Sequence, residues 1–134
     1  MFWKKNGVIK MMKDGTKFSQ REIVLIPFPY SDLTGTKQRP ALIISNNLLN
    51  KTQDRICCLI TSNPTKEGSE IKQEHFEEGK LPFKSWIKPQ RLFTIDERII
   101  RKSLARISQK FHGEILISCT DKIHTIHYSN QTTE

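Results

Sequence analysis

The chain has 134 residues, enough for one domain with its own apolar core and too few for two ordinary ones. A net charge of +8 gives so small a body a positive field that draws polyanions or an acidic protein; RNA, DNA and an acidic binder all fit it, and so does an idle basic surface. Cys57 and Cys58 are adjacent and Cys119 is distant, which excludes a disulfide framework and a zinc motif and points to reduced thiols in a cytoplasm, while no apolar run is long enough to cross a bilayer or serve as a secretion signal.

Residues 1–18 read as a basic leader without sustained periodicity, with Met11 and Met12 as alternative starts, and residues 19–130 as the folded domain. Residues 23–26 and 41–44 are short, unbroken apolar runs rich in β-branched side chains and bounded by breakers, the pattern of buried strands. The segment between them is rich in Pro, Gly, Thr and Ser and reads as a loop. Pro40 denies Arg39 the helical region and has no amide hydrogen for a ladder, which places Arg39 at the mouth of the second strand, pointing out of the sheet's end. Residues 55–61 are a third strand, closed by the turn-forming Ser62, Asn63 and Pro64 and returning antiparallel to the second through the polar connector 46–54. In such a meander the end of strand one, the start of strand two and the end of strand three share one edge, so Phe28 to Tyr30, Arg39 and Thr61 meet there.

Residues 65–82 are highly charged, with a short strand around Ile71, and read as an exposed hairpin. Residues 85–88 form another strand, Asp96 can cap a short helical turn, and residues 103–107 alternate as a half-buried strand does. Ser108 then caps a helix whose apolar stripe is Phe111, Ile115, Cys119, Ile123 and Ile126. His112, His124 and His127 fall on that helix as solvated side chains, and His75 reads as surface decoration. Residues 131–134 read as a frayed tail. The sum is a mainly β protein with a C-terminal helix, a small, strongly curved β-barrel with the helix on one side.

No phosphate-binding glycine loop, metal-spaced ligand cluster or nucleophile elbow is present in the sequence. What remains is Arg39 with Thr61 at one end of a barrel, under a loop bearing Tyr30, Ser31, Asp32, Thr34, Thr36 and Lys37. A guanidinium is always charged and its planar fork fits phosphate oxygens in pairs; a threonine hydroxyl can donate a third hydrogen bond to the same group. Such donors suit a phosphate whose charge grows in a transition state. RNA needs little else, since its own 2′-OH attacks the neighbouring phosphorus. An arginine in a rim salt bridge with Asp32, beside a threonine that merely ends a strand, fits the same pattern.

Three segments carry a resemblance. Residues 22–45 (EIVLIPFPYSDLTGTKQRPALIIS), 59–63 (LITSN) and 85–96 (SWIKPQRLFTID) resemble, in order and spacing, the motifs of the MazF/PemK family of toxin endoribonucleases, and the match runs from about Phe18 to the C-terminal helix. The resemblance implies an SH3-like barrel of MazF/CcdB-like architecture that forms homodimers and cleaves single-stranded RNA without metal or cofactor, leaving a 2′,3′-cyclic phosphate or 3′-phosphate and a 5′-OH. It also implies a cognate antitoxin as partner. By position Arg39 matches the family's catalytic arginine and Thr61 its catalytic threonine. Phe28, Tyr30, Ser31, Asp32, Thr36, Lys37, Ser62, Asn63, Lys88, Gln90 and Arg91 would contact RNA, with Tyr30 favoured over Phe28 for stacking on a base. The first loop offers Asp32 where some members carry a glutamate that assists the chemistry, and Leu104-Ala105 stands where a glycine is common. A non-nuclease toxin that poisons DNA gyrase, as CcdB does on this architecture, is the alternative from another class. An inactive antitoxin-binding relative is a third, against which the intact Arg39 and Thr61 count.

Overall fold

The computed structural model describes residues 17–29 and 36–125, apart from the side chains of Pro29 and Thr36; residues 1–16, 30–35 and 126–134 lie outside the described residues. Among the described residues seven strands, β1 (Glu22–Pro29), β2 (Thr36–Ile43), β3 (Asp54–Thr61), β4 (Ser69–Ile71), β5 (Phe76–Gly79), β6 (Ser85–Asp96) and β7 (Lys102–Ile107), precede one α-helix, α1 (Gln109–Ile123). They form a single sheet in the order β4-β6-β3-β2-β1-β7-β5. All the pairings are antiparallel.

That order explains the curvature. β4 and β5 are at opposite edges, yet only residues 72–75 join them. Fully extended, that link spans about 17 Å, whereas the edges of a flat seven-stranded sheet lie about 29 Å apart. The sheet must therefore curl until its edges nearly meet, which makes the barrel. Residues 65–82 are accordingly not the exposed hairpin that their charge pattern suggests but a bridge between the two edges. β5 eludes the pattern because an edge strand is held by backbone pairing to β7 and needs no apolar face.

The apolar runs of β1 and β3 are continuous because both faces of the sheet are covered. Ile23, Leu42, Cys58, Ile60, Ile87, Leu104 and Ile107 pack on one face beneath Phe111, Ile115 and Cys119 of α1. Val24, Ile26, Ala41, Ile43, Cys57 and Ile100 form a second cluster on the other face, flanked by Phe18, Phe28, Phe93 and Ile95. All three cysteines are free and buried. Burial pushes the Cys57 thiol up to about 12.

The chain enters β1 through a strained turn in which Phe18 and Arg21 adopt positive φ of 57° and 81°. Buried Arg55 holds it, donating to the carbonyls of Lys17 and Phe18 at 2.8 Å each and to those of Thr52 and Asp54 at 2.7 and 2.8 Å. The Glu22 carboxylate, also buried, accepts from the Ser19 amide and hydroxyl and from Arg106.

Ser108 caps α1 as the sequence indicates, its hydroxyl accepting from the Phe111 amide at 3.2 Å. The buried stripe stops at Cys119, and Ile123 in the last turn is 73% exposed; Ile126 and His127 lie outside the described residues. Two histidines are structural. His75 stacks on Phe111 with centroids 3.7 Å apart, so it braces the start of α1 instead of decorating the surface. His112 is buried, not solvated. Burial pulls its pKa below the ordinary value, with nearby Arg21 adding to the effect and the Ile43 backbone opposing it. The unfolded chain thus takes up this proton at a higher pH than the folded one, and His112 costs stability as pH falls below about 6.5 until the depressed folded pKa is reached. Thermal melts between pH 7.5 and 5 should show wild type losing stability more steeply than His112→Gln; parallel curves would rule out His112 as the cause.

Candidate active site

The antiparallel meander β1-β2-β3 places the three chain segments at one edge, as its sequence pattern requires. Its details differ at Pro40, which lies inside β2 opposite Leu25 and does not begin the strand. The ladder to β1 runs on to Thr36, but the ladder to β3 ends at Ala41 opposite Leu59. The proline's missing donor thus ends one ladder and leaves the strand intact, the arrangement an amide-less residue can tolerate. Arg39, in consequence, lies on a face of the sheet instead of pointing from its end.

That face can be followed strand by strand, since directly paired residues of antiparallel strands project to the same side. Ile26 pairs with Arg39. Continued two residues past Ala41–Leu59, the β2–β3 register sets Arg39 opposite Thr61, and Thr61 pairs with Trp86 of β6, itself paired with Glu70 of β4. The row Ile26, Arg39, Thr61, Trp86 crosses four strands. The adjacent row is Val24, Ala41, Leu59 and Lys88, and Lys37 faces Phe28 on the outer side. Apolar side chains of the second core thus form the floor on which the guanidinium and hydroxyl stand.

Thr61 is 8% exposed, and its hydroxyl oxygen accepts from the Asn63 amide at 3.1 Å. With a lone pair engaged by the turn, the hydroxyl still has its hydrogen to donate. Arg39 is half-buried, a setting in which a guanidinium meets less competition from water than at the surface. Ser62 and Asn63 are exposed in the turn beyond Thr61, and Lys37 is exposed at the start of β2. Phe28 is half-buried and packs edge-to-face on Phe93, centroids 5.5 Å apart, as part of the floor. Tyr30, Ser31 and Asp32 lie outside the described residues, and of Thr36 only the backbone, opposite Pro29, is described.

β6 supplies the other side. Lys88 pairs with Leu59 and Leu92 with Cys58, so residues 89–91 are extra and bulge from the ladder. Pro89, which has no donor, sits where the ladder is interrupted. The bulge leaves Gln90 and Arg91 exposed next to Lys88, which is half-buried. Lys37, Arg39 and Lys88 therefore collect on one face, with Arg91 exposed in the bulge beside Lys88, and Glu70, the acid at the end of the row, is engaged by Lys84 at 3.7 Å. Trp86 is the member of this site that the three segments' motifs do not single out; carrying the strand pairing one strand further, with alternation of Trp86 and Lys88 against Ile87, finds it. No group of three or more His, Cys, Asp or Glu placed to hold a metal occurs among the described residues. A cleft of 190 Å³ lined by Ile71, Phe76, Leu81 and Phe83 opens at the barrel seam, away from Arg39 and Thr61.

Residues 19–118 match the model of the PemK-like, MazF-like toxins of type II toxin–antitoxin systems. No curated protein sequence matches the chain significantly. Among solved structures, an endoribonuclease from a mycobacterial species in complex with its cognate antitoxin is similar at a TM-score of 0.67 and 13% identity, over 81% of this chain and 97% of that one. A MazE–MazF complex from Deinococcus radiodurans gives 0.65 and 18% over 81% and 97%, and the Mycobacterium tuberculosis toxin MazF-mt6 gives 0.61 and 13% over 77% and 96%. At these identities the structures establish a shared fold: a mainly β, nearly closed barrel with one C-terminal helix.

Proposed function

Because the chain belongs to the PemK-like, MazF-like toxins of type II toxin–antitoxin systems, we propose that it is an endoribonuclease whose catalytic pair is Arg39 and Thr61. The observation that carries the reading is the strand register, which, continued two residues past Ala41–Leu59, brings Arg39 and Thr61 to one face together with Lys37 and Lys88. Structural relatives that are endoribonucleases, one solved with its antitoxin, support it.

The substrate is single-stranded RNA lying across the face. Its 2′-oxygen attacks the adjacent phosphorus, giving up its proton, while the bond to the 5′-oxygen breaks and that oxygen gains a proton. The products are a 2′,3′-cyclic phosphate, or the 3′-phosphate from its opening, and a 5′-OH. Charge grows on the non-bridging oxygens as the phosphorus becomes five-coordinate. The Arg39 fork and the Thr61 hydroxyl are the donors that would meet that charge. Arg39 acts as an electrostatic stabiliser. Lys88, Gln90, Arg91, Ser62, Asn63 and Lys37 hold the strand on either side. The working form is a homodimer, and a cognate antitoxin silences it.

Because the nucleophile belongs to the substrate, one 2′-deoxy nucleotide tests the chemistry. Sequencing 5′ ends after brief induction gives the cleavage site, and an oligonucleotide carrying it should be cut in EDTA. The same oligonucleotide with a single 2′-deoxy sugar 5′ of the scissile phosphate should bind and remain whole. Cutting of the deoxy substrate would mean attack by water and a different mechanism. DNA breaks with intact RNA on overexpression would instead mark a gyrase poison.

A further inference from the structure

We infer that Trp86 is the stacking platform for the base beside the cleaved phosphate, and so a specificity-determining residue; this rests on the nuclease reading above. Trp86 pairs directly with Thr61, whereas Ile87 turns to the opposite face and is fully buried in the core beneath α1. The indole therefore stands on the same face as the Arg39–Thr61 pair, one strand further on. Cross-strand neighbours have Cβ atoms about 5 Å apart, a step that lets one nucleotide keep its phosphate on Thr61 and its base on the indole.

Two further features fit a platform better than a core filler. Trp86 is only half-buried, on a face that also carries Arg39, Thr61 and Lys88 above its apolar floor. Its base is also fixed: a Cβ at Gly68 would lie 3.2 Å from the Trp86 Cβ and 3.1 Å from the Ile87 carbonyl, so the turn closed by the Gly68 amide on the Thr65 carbonyl packs directly against the start of the indole side chain. A side chain anchored at its root and partly exposed presents a defined ring to a ligand. Base–aromatic stacking tolerates any base but favours those with the larger π-face, so Trp86 ranks purines above pyrimidines at that position.

The test is a cycle between protein and RNA. With the cleavable oligonucleotide, Trp86→Ala should lower kcat/KM about tenfold to a hundredfold, mostly through KM, and Trp86→Phe should restore most of it. Replacing the base next to the scissile phosphate by an abasic sugar should cost wild type a similar factor and Trp86→Ala almost nothing. Equal sensitivity of the two proteins to the abasic sugar at each nucleotide flanking the cut would overturn the inference, as would unchanged kcat/KM in Trp86→Ala. Should Trp86→Ala fail to fold, the same cycle with Trp86→Leu, bulky but without a π-face, decides by the same criterion. A wild-type chain that leaves RNA uncut fails the nuclease reading itself, while cleavage indifferent to Trp86 fails only this inference.

Discussion

Replacing Arg39 by alanine is expected to lower kcat for RNA cleavage by about a thousandfold or more, with circular dichroism and urea midpoint unchanged. Loss of one preorganised donor to a developing oxyanion costs about 10²- to 10³-fold, and the guanidinium supplies a bidentate fork and a full charge, so the upper end applies. The fold should survive because Arg39 is only half-buried, standing on the apolar core and not within it. Arg39→Lys keeps the charge, loses the planar fork and should fall between the two. Thr61→Val, close in shape and without the hydroxyl, should cost about a hundredfold. The double variant should lose less than the product of the single losses, since both donors serve one phosphate. Single-turnover cleavage of a defined oligonucleotide reads all four, and an Arg39→Ala protein that cuts at the wild-type rate refutes the assignment.

Arg55→Met should destabilise the protein by about 3–5 kcal/mol, the range for breaking a buried charged network by removing one partner. The guanidinium is 1% exposed and is the common donor to the carbonyls of Lys17, Phe18, Thr52 and Asp54, with Glu97 at 3.8 Å. Methionine fills similar volume but leaves those acceptors without their donor, including the two that hold the positive-φ turn. Against a total stability of about 5–15 kcal/mol this is a large fraction. A lower urea midpoint at unchanged slope, with faster proteolysis near residues 17–21, is the expected signature; a shift under 1 kcal/mol would mean that the turn is held by its other contacts, Arg21 to the Ile43 and Ile107 carbonyls.

Local patterns in this chain speak loudest where local physics decides. The meander, the Ser108 cap and the Phe111, Ile115 and Cys119 stripe follow from apolar runs, breakers and helical spacing alone. Arg39 and Thr61 are legible as a pair because antiparallel geometry fixes which ends meet. Patterns are silent where pairing is long-range. Phe76-Glu-Glu-Gly79 looks like solvated loop and is an edge strand, because its partner β7 lies about thirty residues away in sequence. Pro40 looks like a strand start and is interior, because one ladder can stop while the other continues. His75 and His112 have their character set by Phe111 and by burial under the helix, which no spacing reveals. Trp86 joins the site only once β6 is known to lie beside β3.

The pairing of β1 with β7 joins Glu22 to Arg106 across most of the folded chain. During synthesis, the outer margin of the first strand therefore stays bare until the seventh leaves the ribosome, several seconds after the meander is complete at about 5–20 residues per second. A nascent or prematurely terminated toxin lacking β7 would thus carry a naked strand margin, the kind of surface that recruits chaperones or adds to a neighbouring chain. Topology delays the finished poison until its seventh strand has been made.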